Sequence, residues 1–372
     1  MASVRQIAER AGVSISTVSR VLNNDPAVNP DTRDRVLSAA NRWGYVRTIG
    51  RRVTTYIGFA YTGRRTLMAA FDSAVLDGVA RGADDCKLDV VILNIHRDKQ
   101  PEETYTQFFM RKGVRGVILR TMTDSREVCL KIAEEGFPHI VVSDRFDAPA
   151  VNYVDCESKA DSARALEYLI SLGHRRIAFA MHSIPDCDHV DRFAGYQQAL
   201  VDHGIPFDER LVFRHPINLP AGATILKLAR SMPERPTAIY FADPLLAIGA
   251  MQKAHELGLR IPEELSIVGF DDADMRHAVY PALTAVCQDA GKLGFQAATW
   301  LGHMLSGSAP KKFQKTIPTF FEINRSSGPP CNETRRVGGA DTRLETSAPE
   351  AAVWEAAARP TQNGGDETRG RL

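Results

Sequence analysis

"SVRQIAERAGVSISTVSRVLNNDPAVNPDTRDRVLSAANRWGYVR", Ser3 to Arg47, sets three short amphipathic patterns end to end with small residues at their corners. Ser3 followed three positions later by Gln6 is a capping box, so a first helix is predicted from Val4. Val4, Ile7, Ala8 and Ala11 share one face of it at helical spacing. Gly12 ends the helix and takes the positive φ that a tight turn needs. Ser14 is a good N-cap for a second helix, Ile15 to about Leu22, with Val18, Val21 and Leu22 inward. Asn29-Pro30 opens a third, which turns Val36, Leu37 and Ala40 inward and ends at Gly44. Helix, Gly-containing turn, helix and a bracing third helix describe a helix-turn-helix. Its second helix offers Ile15, Ser16, Thr17, Ser19 and Arg20 outward, a set suited to base edges, thymine methyls and phosphates.

Charge supports a polyanion partner for this head. Residues 1–55 hold nine arginines against four acids, a net of +5, while the whole chain is only +1. A basic head therefore sits on a mildly acidic body. At 372 residues the chain has room for two or three domains. Its 44% apolar and 24% charged residues suit a soluble globular protein. No apolar run reaches about 18 residues, so no membrane span is expected. The start MASVRQIAER has no apolar stretch of the secretory kind, so a cytoplasmic location is expected. The six cysteines are scattered without a C-x-x-C pair, which favours reduced thiols over disulfides or a zinc site. No metal or cofactor is expected.

From Ile57 the period changes. YIGFAY, VVILN, GVILRT, HIVVSD, RRIAFA, TAIYFA and LSIVGFDD are strand-like, with helical stretches such as DSAVLDGVARGADD and FAGYQQALVDHG between them. That alternation predicts an α/β protein with parallel sheets covered by helices. So many strands favour two lobes, with ligand chemistry at strand carboxyl ends facing a cleft. Beyond residue 327 the chain is polar and rich in Gly, Pro and Thr, and a disordered tail over 328–372 is expected, with a transient helix at most in EAAVWEAAA.

"IAERAGVSISTVSRVLNN" and "VNPDTRDRVLSAANRWGY" resemble the DNA-binding head of the lactose-repressor/galactose-repressor (LacI/GalR) family. "SLGHRRIAFA", "RFAGYQQALVDHGIPFDERLV", "PTAIYFADPLLAIGAMQKAHELGLRIPEELSIVGFDD" and "ALTAVCQD" extend the resemblance to about Ser327. It implies a head over 1–47, a linker over 48–56 and a two-lobed, periplasmic-binding-protein-like core over 57–327. Such a core binds a small effector between its lobes and dimerises side by side. The first lobe would hold about 57–153 and 286–315, the second about 154–285. By the same resemblance Ser3, Val4, Ser14, Ile15, Ser16, Thr17, Ser19, Arg20 and Asn23 match DNA-contacting positions, with Ile15 and Ser16 choosing the operator.

In the cleft, Arg192 of "DRFAGY" matches an effector-contacting arginine, whose planar fork suits vicinal hydroxyls or a carboxylate. Asp271 of "GFDD" matches a ligand-contacting acid, with capping of the following segment as the alternative. Asp243 replaces the family's usual Asn and is followed by Pro244; an acceptor-only group there favours a ligand with an extra hydroxyl or a cationic group. Phe71 and Asp72 fall in the loop after the first strand, where relatives contact ligand, although core packing suits Phe71 equally. Asp144 and Arg145 of "VSDRFD" suit either an interlobe ion pair or ligand contact. "HSIPDCDHVD" gathers His182, Asp186, Cys187, Asp188, His189 and Asp191 without metal-ligand spacing, and reads as a solvated loop lining the cleft.

One family element is altered. Relatives follow "GY" with a leucine-containing hinge helix, whereas "VRTIGRRVTTY" is short, lacks leucine and is broken by Gly50. Ile49 as a wedge with Arg47, Arg51 and Arg52 lining groove or phosphates is one reading; a plain basic linker is the other. Two rivals remain at this level. An α/β enzyme would want a Walker loop, a G-x-G-x-x-G or a G-x-S-x-G, and none is present. A sugar receptor without DNA would not need the basic head. The expectation is a homodimeric, effector-controlled regulator of operator DNA.

Overall fold

The three helices of the head form where their caps and apolar faces place them: α1 (Val4–Ala11), α2 (Ile15–Leu22) and α3 (Pro30–Arg42). The computed structural model describes residues 3–22, 25–42, 48–49, 52–63 and 70–331. Ser3 and Gln6 close the capping box, and Gly12 takes φ +64° at the α1 C-cap. Ile7, Ala8, Ala11, Val18, Val21, Val28, Val36, Leu37 and Ala40 bury the faces against one another. Asn23, residues 43–47 and the end of the third helix at Gly44 lie outside the described residues.

In the linker, β1 (Thr48–Ile49) and β2 (Arg52–Val53) pair antiparallel, Thr48 opposite Val53 and Ile49 opposite Arg52. Its described backbone is thus extended, with no hinge helix over these four residues. Gly50, Arg51 and the side chains of Ile49 and Arg52 are outside the description.

The body is two parallel sheets with helices on both faces. The first lobe runs β3 (Tyr56–Tyr61), α4 (Ala70–Asp85), β4 (Asp89–Asn94), α5 (Ile95–Asp98), α6 (Tyr105–Arg111), β5 (Val117–Arg120), α7 (Arg126–Glu134), β6 (His139–Val142) and β7 (Tyr153–Glu157). The second runs α8 (Lys159–Ser171), β8 (Ile177–His182), α9 (Cys187–Asp202), β9 (Val212–His215), α10 (Leu219–Ser231), β10 (Ala238–Phe241), α11 (Pro244–Glu256), β11 (Ser266–Asp271) and β12 (Thr284–Cys287). The chain then returns to the first lobe with α12 (Ala290–Ser306) and β13 (Gln314–Pro318), and β14 (Phe320–Glu322) rejoins the second. The sheet orders are β13-β7-β6-β5-β3-β4 and β14-β12-β11-β10-β8-β9. Every pairing in them is parallel except β12 with β14.

The chain therefore crosses between lobes three times, but a few residues from the expected places. β7 stays in the first sheet to Glu157, and β12 stays in the second to Cys287. Both strands complete their ladders before the chain leaves the sheet. The core also continues past residue 327: the Gly328 N–H donates to Ser266 Oγ at 3.0 Å, and His174 Nε2 lies 2.9 Å from Gly328 O. Residues 332–372, the rest of the expected tail, lie outside the described residues.

Helix pairs close to backbone contact through glycine. A Cβ on Gly294 of α12 would sit 2.0 Å from Val75 O of α4, and one on Gly78 of α4 would sit 1.9 Å from Gly291 O. In the second lobe, Gly222 of α10 and Gly249 of α11 would each meet a carbonyl at 2.1 Å. A backbone cannot step aside as a side-chain tip can, so Gly294→Ala should force α4 and α12 apart. The expected cost is about 1–3 kcal/mol, seen as a melting temperature several degrees lower in calorimetry. An unchanged melting curve would contradict the close-packing account.

Candidate functional site

The head presents one polar face. Ile15, 53% exposed although it is a large aliphatic residue, stands on α2 beside exposed Ser16, Ser19 and Arg20. Ser14 caps α2, its Oγ accepting from Thr17 N at 3.1 Å, and it contacts the hydroxyls of Ser16 and Thr17 at 2.7 and 2.8 Å. Arg20 is steadied by Asp25, Nε to Oδ2 at 2.7 Å. Asp25 in turn accepts from Ala27 N at 2.9 Å, and its carbonyl from Arg33 Nη2 at 2.7 Å. The Arg20 hydrogen bond holds the Asp25 carboxyl below the usual range. Ser3 is exposed and Val4 half-buried at the start of α1.

A second site lies between the lobes. Phe71, Asp72, Arg120, Asp186, Asp188, His189, Arg192, Ile217, Asp243, Asp272 and Gln288 line a cleft holding about 390 Å³ of atom-free space, its open mouth included. Each follows or ends a strand: Arg120 closes β5, Phe71 and Asp72 start α4, Asp186 caps α9, Asp243 caps α11, and Asp272 and Gln288 follow β11 and β12. Parallel sheets deliver all carboxyl ends to one edge, which is why loops distant in sequence converge there.

Of the expected cleft residues, Phe71, Asp72, Arg192 and Asp243 are among the lining. Arg192, only 3% exposed, donates from Nη1 to Ala242 O at 2.7 Å, and its guanidinium carbon stacks 3.3 Å from the Phe270 ring centroid. Phe71 lies under the Arg120 guanidinium at 4.7 Å, so it is both packed and lining. Asp243 accepts from Leu245 N at 2.8 Å.

Two expectations are corrected. Asp271 turns into its own loop, accepting from Met275 N at 3.0 Å and Arg276 Nη1 at 2.7 Å. It is the capping alternative, and its neighbour Asp272 faces the cleft instead. Asp144 is buried beside Arg126, Nε to Oδ2 at 3.2 Å, away from the lining; burial pushes its carboxyl up to about 6 although Arg126 opposes the shift. A third correction concerns "HSIPDCDHVD", which is not a solvated loop. From Cys187 it is the first turns of α9, with Asp186, Asp188 and His189 buried. Among the described residues no cluster of His, Cys, Asp or Glu is arranged to hold a metal ion, and no helix is long and apolar enough to cross a membrane.

Arg120, which sequence reasoning missed, carries much of the electrostatics together with the acids of the "HSIPDCDHVD" stretch. Arg120 donates from Nη2 to Asp186 Oδ2 across the cleft at 3.0 Å and lies 3.5 Å from Asp72 Oδ1. Burial weakens its hold on the proton, but Asp186 and Asp72 outweigh that and the pKa rises. Asp186 also accepts from His189 Nδ1 at 2.6 Å. Burial opposes ionisation of Asp186, yet His189 and Arg120 hold its carboxyl well below the usual range. Burial raises Asp188 despite Arg192, with Asp186 adding to the rise. Burial likewise raises Asp243 and pushes Asp272 up to about 7. Further bonds join the lobes: Ser143 Oγ to Asp188, Arg145 to Asp191, and Thr123 Oγ1 to Pro185 O at 2.6 Å. Of the two alternatives for Arg145, ion pair or ligand contact, it makes the interlobe ion pair.

A family model described as bacterial regulatory proteins, lacI family, matches residues 3–48, and one described as periplasmic binding protein-like domain matches residues 166–327. The HTH-type transcriptional regulator DegA of Bacillus subtilis (strain 168) is 28% identical over 341 residues, 88% of this chain and 98% of its own length. The HTH-type transcriptional regulator AscG of Escherichia coli (strain K12) is 29% identical over 323 residues, 84% of this chain and 96% of its own. A transcriptional regulator CelR–cellobiose complex superposes with a TM-score of 0.64 at 25% identity, covering 88% of this chain and 100% of that one. Head and core thus match in chain order, and these relatives are regulators along nearly their whole length: the protein belongs to the lacI family of bacterial regulatory proteins.

Proposed function

We propose that this protein is a transcriptional repressor whose grip on operator DNA is set by a small, sugar-like effector held between its lobes. The supporting observation is the joining of two sites in one chain. One is an α2 whose polar face stands in solvent; the other is a cleft into which both sheets send buried polar groups. Ile15 and Ser16 would read bases, while Ser3, Val4, Ser14, Thr17, Ser19 and Arg20 meet phosphates and groove edges. Asn23, Arg51 and Arg52 join them on the family resemblance. In the cleft, Phe71, Asp72, Arg120, Asp188, His189, Arg192, Asp243 and Asp272 would hold the effector, while Asp144 and Asp271 position the loops around it. The cellobiose bound by the CelR relative supports a sugar-like ligand. The protein would act by binding rather than catalysis, without a cofactor or a membrane, in the cytoplasm where operator DNA lies. A homodimer reading a two-fold site supplies the contact area that a single head lacks.

Control follows from the pairs that span the cleft. Arg120–Asp186 and Arg145–Asp191 each tie one lobe to the other, so a change in the angle between the lobes would strain them. An effector that prefers one arrangement shifts the lobes, and with them the spacing of two heads in a dimer. Coupling of this kind is worth about 1–3 kcal/mol, roughly 5–150-fold in operator affinity.

Three outcomes are expected. Arg20→Ala should weaken binding to an operator selected from genomic fragments by roughly 1–3 kcal/mol, and wild-type affinity should fall steeply with salt. Equal protection of random and genomic DNA at every salt concentration would refute sequence-specific reading. Ile49→Ala should barely change operator affinity, whereas the pair Arg51→Ala and Arg52→Ala should lower it; a several-fold loss from Ile49→Ala confined to the operator would restore a minor-groove wedge. In fluorescence anisotropy, Arg192→Ala and Asp72→Asn should each abolish release of DNA by an inducing effector while ligand-free operator binding persists. A normal response in both variants would remove the effector from this cleft.

A further inference from the structure

The cleft holds more carboxyl groups than its own cations can pair. Five carboxylates, Asp72, Asp186, Asp188, Asp243 and Asp272, face two guanidiniums and one imidazole. The pairings are uneven. Arg120 serves Asp72 and Asp186, His189 serves Asp186 again, and Arg192 lies 3.8 Å from Asp188. Asp243 and Asp272 have no ion-pair partner among the described residues. Asp243 accepts a backbone N–H from Leu245, and Asp272 accepts only an uncharged amide, Gln288 Nε2 at 2.6 Å. Unpaired buried carboxylates are costly.

The same walls carry unfinished hydrogen bonds. Asp188 Oδ1, His189 Nε2, Arg192 Nε and Gln288 Oε1 are buried without a partner, on side chains that are each at least nine-tenths buried. Donors and acceptors together call for a ligand with several hydroxyls. A hydroxyl alone would satisfy Asp243 or Asp272 geometrically but supply no counter-charge to their ionised forms. An ammonium brings three donors and a positive charge at once. A metal ion is the poorer candidate, because no cluster of ligating side chains among the described residues is arranged for one.

Resting on the reading of this cleft as the effector site, we infer that the effector carries a positively charged nitrogen on a polyhydroxylated ring, as amino sugars and aminocyclitols do, and that Asp243 and Asp272 receive it. Arg192, Asp188, His189 and Gln288 then meet the hydroxyls, with Phe71 and Ile217 against the ring carbons. Ionisation of Asp272 on binding gives up a proton, and any uncharged fraction of the amine takes one up. Burial holds the Asp272 carboxyl up at about 7; Arg192 and Gln288 pull it down, while Asp243 and Asp271 push it up. An added cation favours the ionised form, so the proton leaves.

The test uses the full chain and three probe families: glucosamine, galactosamine and mannosamine, each with its neutral parent sugar and its N-acetyl derivative. Thermal shift at pH 7 should show at least one free amine raising the melting temperature more than its parent and its N-acetyl form. Asp243→Asn and Asp272→Asn, near-isosteric changes, should each weaken that amine at least tenfold in calorimetry while the neutral parent binds as well or better. Titrations in two buffers of different ionisation enthalpy should show a proton balance shifted toward release in the wild type relative to Asp272→Asn. A proton balance unchanged in Asp272→Asn, no shift from any amine, or a neutral sugar that outbinds its amine overturns the inference yet leaves the cleft as the effector site. An amine whose shift survives unchanged in both Arg192→Gln and Asp72→Asn binds elsewhere, and the cleft reading itself then fails.

Discussion

A parallel sheet has a direction: all its strands deliver their carboxyl ends to one edge, and the segments that follow them share that edge whatever their distance in sequence. Everything else in the body follows from two such edges set face to face. Strand interiors such as Ile57, Phe59, Val117, Ile118, Ile239 and Val268 are wholly buried and carry stability. The positions just after them carry charge. The polar wall of the cleft is therefore assembled from six separate stretches, yet none of these had to depart from the strand–loop–helix pattern to contribute.

Burying that much charge in one place constrains its surroundings. Arg192 keeps its guanidinium in the interior by stacking on Phe270 and bonding a backbone carbonyl, with Asp188 3.8 Å away as its ion-pair partner. Arg120 is held from three directions: by Asp186 across the cleft, by Asp72 beside it, and by the ring of Phe71. Because Asp186 is also the N-cap of α9, the charge that joins the lobes is anchored to a helix and not to a mobile loop. Tilting one lobe must either break that pair or drag the helix with it.

Local chemistry made the head legible almost to the residue, because caps and a glycine corner act within a few positions. The body was legible as an alternation of periods, since burial of both sheet faces leaves an unmistakable run of Val and Ile. What could not be read was orientation. Asp271 and Asp272 are adjacent acids at a strand end, and the choice between them is made by the amides of Met275 and Arg276, which a linear reading does not place. Arg120 was hidden by its position as the last residue of an apolar strand; a guanidinium closing such a run was the available signal. In "PDCDH", an Asp three residues before His189 is an N-cap pattern, and recognising it would have turned the supposed loop into a helix start. The lobe crossings were misplaced by a few residues because a strand's hydrogen bonds extend past the point where its composition changes. The helix–helix contacts at Gly78 and Gly294 are tertiary and leave no local trace.

The third crossing deserves a mechanical view. β13 of one sheet ends at Pro318 and β14 of the other begins at Phe320, so a single residue, Thr319, spans the two lobes. Its hydroxyl lies 2.9 Å from the Glu157 carbonyl at the first crossing and 2.6 Å from an Asp161 carboxylate oxygen at the start of α8. One residue of slack and two crossings stitched side by side would oppose sliding and separation of the lobes more than rotation about this seam. A seam so short would serve as an axle, turning any movement of one lobe against the other into a change of angle.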